Sequence, residues 1–300
     1  MITLLIMKLN KNIIFNYIKH IQIIKPNIII GNVISLIGGF LLASKGNINL
    51  ILFFYTLIGV ICIISSACII NNIIDHDIDF LMKRTKNRIL VKKKYLIKKY
   101  FIFSIILFII GFFILYFKVN NISLFISILG FLIYVFLYSL YTKRKYIYSI
   151  FLGSLSGATP PIIGYCSVSN KFDNLSKILI IIFIIWQIPH FYSIAIFRSN
   201  DYKLAKIPTF PEKYGIFISR NHIIFYIINF IIFFSMLTFL GFTGYKYLII
   251  EFFISLYWLY IAVKEYKNNK NIKYWAKKLF IYSIIVITFF SILISLDYIS

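Results

Sequence analysis

A chain of 300 residues that is 61% hydrophobic, 19% aromatic and only 14% charged does not have a soluble composition, and several apolar runs reach the roughly 20 residues that cross a bilayer core. The net charge of +23 would suit nucleic acid, but the bases lie in short loops between apolar runs rather than on one folded surface, which excludes that class. Cys62, Cys68 and Cys166 lie in or beside apolar segments without metal-ligand spacing and read as small core residues, not disulfides.

In chain order, residues 1–24 carry Lys8, Lys11 and Lys19 between short apolar patches and read as a cytoplasmic, interfacial arm. The apolar stretch Met1 to Met7 is too brief for a cleavable leader. Lys25-Pro26 opens a first span over 27–44, whose Gly31, Gly38 and Gly39 allow close helix packing. A second span, 50–74, leads into a long, polar and basic loop, 75–99. Spans three (100–117) and four (122–141) form a hairpin closed by Lys118-Val119-Asn120-Asn121. Span five, 147–165, contains Gly157-Ala158-Thr159-Pro160-Pro161, where lost helix hydrogen bonds must be met by neighbours or a cavity. Span six, 178–197, carries Trp186-Gln187-Ile188-Pro189-His190, and a second polar loop covers 198–220. Spans seven (222–241), eight (247–263) and nine (279–296) follow. The expectation is an all-α polytopic membrane protein of nine transmembrane helices, forming a single domain over 25–300. With the N-terminus in the cytoplasm, all of the 32 Lys and Arg except Lys45, Lys118, Lys171, Lys177 and Lys246 fall on the inner side. Both long polar loops then face the cytoplasm and the C-terminus faces out.

The chemistry concentrates where span two ends. Asn71, Asp75 and Asp79 are four residues apart, so on a helix each lies about 40° round from the last, and the series climbs one face by roughly 12 Å. Two carboxylates and an amide on one helix edge, followed by Arg84 and Arg88, suit a magnesium-bridged diphosphate. Mg²⁺ takes one or two carboxylates plus phosphate oxygens, and arginine forks onto the oxygens left free. A solvated helix end is the alternative, but three of the chain's nine acids cluster here. Asp77 falls about 200° from Asp75 and is expected to cap the helix or pair with Arg84. Past span six, Asp201 again places an acid at the same side; it either joins the metal site or pairs locally with Arg198 or Lys203.

The run Asn71-xxx-Asp75-xxx-Asp79 with Arg84-Thr85-Lys86-Asn87-Arg88 resembles the first aspartate-rich motif of the intramembrane prenyltransferases, the UbiA superfamily. Lys25-Pro26, Tyr141-Thr142-Lys143-Arg144, Gly157 through Gly164, Trp186 through Phe191 and Asp201-Tyr202 resemble the branch that farnesylates protoheme, over about residues 25–211. The resemblance implies nine helices around a central cavity in a bacterial inner membrane. It implies farnesyl diphosphate and protoheme IX as substrates, and heme-supplying proteins or a terminal-oxidase assembly as contacts. It also implies Mg²⁺ held by Asn71, Asp75, Asp79 and Asp201; Arg84, Arg88 and Lys143 are the candidates for contacting the diphosphate, and Lys143 equally fits a loop base that sets orientation in the membrane. His190, inside an apolar span beside Pro189, is the candidate for contacting heme. The wider superfamily often has a second DxxxD, which would need an acid where Ala205 stands, so the metal count is open. Glu251, in span eight, has no assigned role. Other expectations to weigh are prenyl transfer to an aromatic or quinone precursor, and a transporter whose broken spans five and six line a pathway.

Overall fold

The computed structural model describes residues 19–264 and 272–298; most of the arm expected over 1–24 lies outside the described residues. After a 3-10 turn at Gln22–Ile24 the helices are α1 (Pro26–Ser44), α2 (Leu50–Ile74), α3 (His76–Leu81), α4 (Ile89–Lys92), α5 (Ile97–Lys118) and α6 (Asn121–Leu132). The last continues as a π-helix over Ile133–Thr142. Then come α7 (Ser149–Gly157), α8 (Thr159–Ser169), α9 (Asn174–Phe197), α10 (Ser199–Leu204), α11 (Phe210–Phe239), α12 (Tyr245–Lys264) and α13 (Ile272–Leu296). An isolated bridge between Thr243 and Tyr298 is the strand-like pairing among the described residues, so the protein is all-α.

Eight helices among the described residues are long and apolar enough to cross a membrane. The chain is therefore a polytopic membrane protein with eight such spans rather than nine of that length. The expected span over 147–165 is two short helices, α7 and α8, of 9 and 11 residues, meeting at Ala158. The cause lies in Pro160 and Pro161. Neither offers an amide proton, so the chain restarts a helix there with proline in its first turn. Large exposed apolar side chains, such as Ile51, Phe113, Phe117, Phe225 and Phe253, cover the outside, as lipid contact requires.

Small residues set the helix spacing around the broken span. A Cβ on Gly39 would lie 1.9 Å from Pro161 O, and one on Gly164 would lie 2.1 Å from Leu36 O, so α1 and α8 pack backbone against backbone. Gly31 does not share in this: nothing lies within 4 Å of the position its Cβ would take. α10 and the turn after α3 are joined by a small apolar cluster of Ile78, Met82, Ala205 and Ile207 with Tyr202. That cluster brings together the two polar segments that follow α2 and α9.

Candidate active site

The polar cluster forms at the end of the bundle where α1 and α11 begin and where α2, the π-helix and α9 end. α2 stops at Ile74 because Asp75 leaves helical geometry (φ −86, ψ 1), yet the spacing survives the joint. Asp75 N donates to Asn71 O at 2.9 Å and Asp79 N to Asp75 O at 2.8 Å. Asn71, Asp75 and Asp79 thus keep their four-residue ladder and are all buried, at 2%, 3% and 2% exposure.

Cations from distant segments converge on that ladder. Lys143 pairs with Asp75 Oδ2, and Arg88 Nη1 donates to Asp79 Oδ2 at 2.5 Å and to Asn72 Oδ1 at 3.0 Å. Buried carboxylates need such partners, since removing one leaves an uncompensated charge that costs about 3–5 kcal/mol. Arg88 is aimed by its loop: Thr85 Oγ1 donates to Asp79 O at 2.9 Å and Arg88 N to Thr85 O at 2.9 Å. Arg84 is exposed and makes no ion pair among the described residues. Partial withdrawal from water, with Arg88 and Arg198 nearby, lowers its pKa. Repulsion among like charges of this kind is what an anionic ligand relieves.

Several participants were not assigned roles from the sequence. Lys25 Nζ donates to Asn71 Oδ1, while Asn71 Nδ2 donates to Ser139 Oγ at 2.8 Å on the π-helix. Lys25 sits in the left-handed region (φ 55), an uncommon conformation for a non-glycine, and burial lowers its pKa to about 8. Its place beside Pro26 was the available signal. Arg144 forks onto Asp77 with two bonds of 2.7 Å and donates to Ile74 O at 2.6 Å. Asp77 therefore pairs with Arg144 and not with Arg84, because the end of the π-helix reaches the outer edge of the α2–α3 joint. This bond lowers the pKa of Asp77 and raises that of Arg144.

Asp201 pairs with neither Arg198 nor Lys203. Its Oδ1 accepts from the backbone amide of Lys83 at 3.1 Å, so it ties α10 to the loop that follows the first motif. Beside it, burial raises the pKa of Tyr202, which lies within electrostatic reach of Lys143, Arg84 and Arg198. Two clefts border the cluster. One, of about 10 Å³, is lined by Asn72, Asp79, Arg88 and the 3-10 turn; the other, of about 60 Å³, runs from Tyr138, Lys143 and Tyr202 to Phe191, Tyr192 and Phe210. Neither is lined by Asp75 or Asp201, and neither shows the central cavity expected from the resemblance.

Among the described residues no three His, Cys, Asp or Glu side chains form a metal-holding group. The donor set instead fits a magnesium ion that brings phosphate ligands with it. Asp75 Oδ1 is buried and accepts no hydrogen bond, and Arg144 Nη2 stands 4.0 Å away. Mg²⁺ asks of a protein only one or two such oxygens.

A model of the UbiA prenyltransferase family matches residues 32–284. The chain belongs to this family. It is 49% identical over 280 residues, 93% of this chain and 94% of the relative, to the protoheme IX farnesyltransferase of Sodalis glossinidius (strain morsitans). The enzyme of the same name from Cronobacter sakazakii (strain ATCC BAA-894) is 49% identical over 93% of this chain and 95% of its own. The fold is that of solved UbiA relatives. A digeranylgeranylglyceryl phosphate synthase superposes with a TM-score of 0.73 at 19% identity, covering 93% of this chain and 97% of its own. A UbiA homolog from Archaeoglobus fulgidus bound to DMAPP and Mg²⁺ superposes with a TM-score of 0.69 at 14% identity, covering 93% and 99%. The Asn71–Asp75–Asp79 run lies within the matched residues and is, in this chain, a buried ladder surrounded by cations.

His190 stands apart from this cluster, lower on α9. Its Nδ1 is bonded to Ser283 Oγ on α13 at 2.7 Å, and its ring packs against Trp186 and Phe280. Glu251 is fully buried in α12, accepts a bond of 3.4 Å from Ser255 Oγ and leaves Oε2 without a partner.

Proposed function

We propose that this prenyltransferase joins the farnesyl group of farnesyl diphosphate to a vinyl group of protoheme IX, forming the hydroxyethylfarnesyl substituent of heme O. The reading is carried by the buried Asn71–Asp75–Asp79 ladder with its converging cations, in a chain 49% identical over 93% of its length to enzymes named for that reaction. In this reading the chain is one domain from 25 to 300 that crosses a bacterial cytoplasmic membrane nine times. The pair α7–α8 makes the fifth crossing, the catalytic end faces the cytoplasm and the C-terminus lies outside.

The difficult step is breaking the allylic C–O bond, because negative charge accumulates on the departing diphosphate. Cations fixed beforehand stabilise that charge in the transition state more than in the ground state. Arg84, Arg88 and Lys143 contact the diphosphate, and the ion pairs with Asp75 and Asp79 hold Lys143 and Arg88 in place for it. Asn71, Asp75, Asp79 and Asp201 would hold Mg²⁺, which when bound supplies Lewis-acid stabilisation of the leaving diphosphate. The allylic carbon then bonds to the vinyl carbon, and water adds its hydroxyl to the cation left behind and releases a proton. Aromatic walls, among them Tyr138, Phe191 and Tyr192, keep water from the earlier step. His190 contacts the heme.

Purified chain supplied with heme B, farnesyl diphosphate and Mg²⁺ is expected to yield heme O, to stop on chelation and to resume when Mg²⁺ is returned. A protein that instead prenylates an aromatic acid and leaves heme B unchanged would refute the substrate.

A further inference from the structure

The contact between His190 and Ser283 fixes which ring nitrogen is free. Ser283 Oγ donates its one proton to Phe280 O at 2.7 Å, so it can only accept from His190. His190 Nδ1 must therefore carry the ring proton, and Nε2 is left with a bare lone pair. Among the described residues Nε2 has no hydrogen-bond partner, and the residue is only partly buried. A metal-binding imidazole is usually held in this way, by a hydrogen bond from its other nitrogen.

The surroundings of Nε2 suit a flat conjugated ligand with an anionic edge. Trp186, His190 and Phe197 lie within about 40° of one another on α9, and all three are partly exposed. Ring centroids are 5.1 Å apart for Trp186–His190, 4.9 Å for His190–Phe280 and 5.3 Å for Phe197–Phe280, so the rings form one continuous strip between α9 and α13. Arg198 closes the strip, its guanidinium 4.9 Å from the centroid of Phe197 and without an ion pair among the described residues. Eight residues of helix separate His190 from Arg198, a rise of about 12 Å. That is a few ångströms longer than the reach from the iron of a porphyrin to its peripheral carboxylates, a gap that the long Arg198 side chain spans. The same residues would make an ordinary packed interface if His190 Nε2 were bonded inward, which it is not.

We infer that His190 Nε2 ligates the iron of the macrocyclic substrate, that Ser283 is the positioning residue that holds the imidazole in the ligating tautomer, and that the macrocycle lies along the Trp186–Phe280–Phe197 strip with a carboxylate at Arg198. This rests on the heme reading above but concerns a site distinct from the diphosphate cluster.

The test is a heme titration of the full chain in detergent, followed by its visible absorption spectrum, with iron-free protoporphyrin as the control. The native chain is expected to give a histidine-ligated spectrum. In His190→Ala that spectrum is lost and the heme dissociation constant rises about tenfold or more, while iron-free protoporphyrin binds both proteins alike. Ser283→Ala is expected to weaken heme several-fold and Ser283→Thr, which keeps the hydroxyl, to restore it. Arg198→Ala is expected to raise KM for heme but not for farnesyl diphosphate. Added imidazole should return the ligated spectrum to His190→Ala, which separates a lost ligand from a misfolded protein. An unchanged spectrum and affinity in His190→Ala overturns the ligation, and heme O made by the native chain in the same preparation keeps the prenyl-transfer reading intact. A His190-dependent spectrum without heme O would leave the ligation standing and remove that reading instead.

Discussion

The two acidic segments at the polar end of the bundle are built differently. Asp75 and Asp79 are nearly inaccessible, sit on a continuous helical ladder and face Lys143 and Arg88 across ion pairs. Asp201 is partly exposed and stands on a six-residue helix, and its carboxylate accepts one backbone amide, that of Lys83. The first segment is organised by the protein's own charges, because burial obliges each carboxylate to find a cation. The second works as a clasp that closes one polar loop onto the other. Electrostatic preorganisation of the first kind is what accelerates charge separation, since fixed charges need no rearrangement as the leaving group departs.

The largest effect should come from breaking the ladder. Asp75→Ala or Asp79→Ala is expected to lower kcat/KM for heme O formation by at least about 100-fold to 1000-fold. Each also leaves Lys143 or Arg88 unpaired, so the fold is checked alongside by thermal unfolding. Turnover near the native rate in either variant would remove the ladder from the chemistry.

A finer test separates clasp from ligand in Asp201. Asn in its place keeps an oxygen for the Lys83 amide but carries no charge. If Asp201 takes part in holding the ion, Asp201→Asn should cost about 10-fold to 100-fold in the apparent affinity for Mn²⁺ read by electron paramagnetic resonance. An Asn variant that binds the ion as the native chain does would make Asp201 a clasp alone.

The smallest effect on activity is expected at Glu251, which belongs to neither segment. Its Oε2 is buried without a hydrogen bond, a condition that costs about 1–3 kcal/mol. Glu251→Met should therefore raise the melting temperature and leave heme O formation unchanged. A sharp loss of turnover would give this carboxyl a function.

Much of this was legible in the chain before folding. Apolar runs of span length announced the membrane, and the spacing of Asn71, Asp75 and Asp79 put them on one helix face even though α2 breaks at Asp75. Pro160 and Pro161 marked span five as interrupted, although not that it would divide into α7 and α8. Reading Asp77 as a partner of Arg84 went wrong for a plain reason. Proximity along the chain favoured Arg84, while packing of the π-helix delivered Arg144.

The sequence by itself determined the membrane class and the helical ladder of acids, because each follows from local periodicity and transfer into lipid. Only the tertiary structure decided the partners: Lys25 for Asn71, Lys143 for Asp75 and the Lys83 amide for Asp201, at separations of 46, 68 and 118 residues. Helix geometry repeats over a few residues and can be counted along a chain. Which charges meet across the bundle depends on how closely whole helices approach, and that is set by packing such as Gly39 on Pro161.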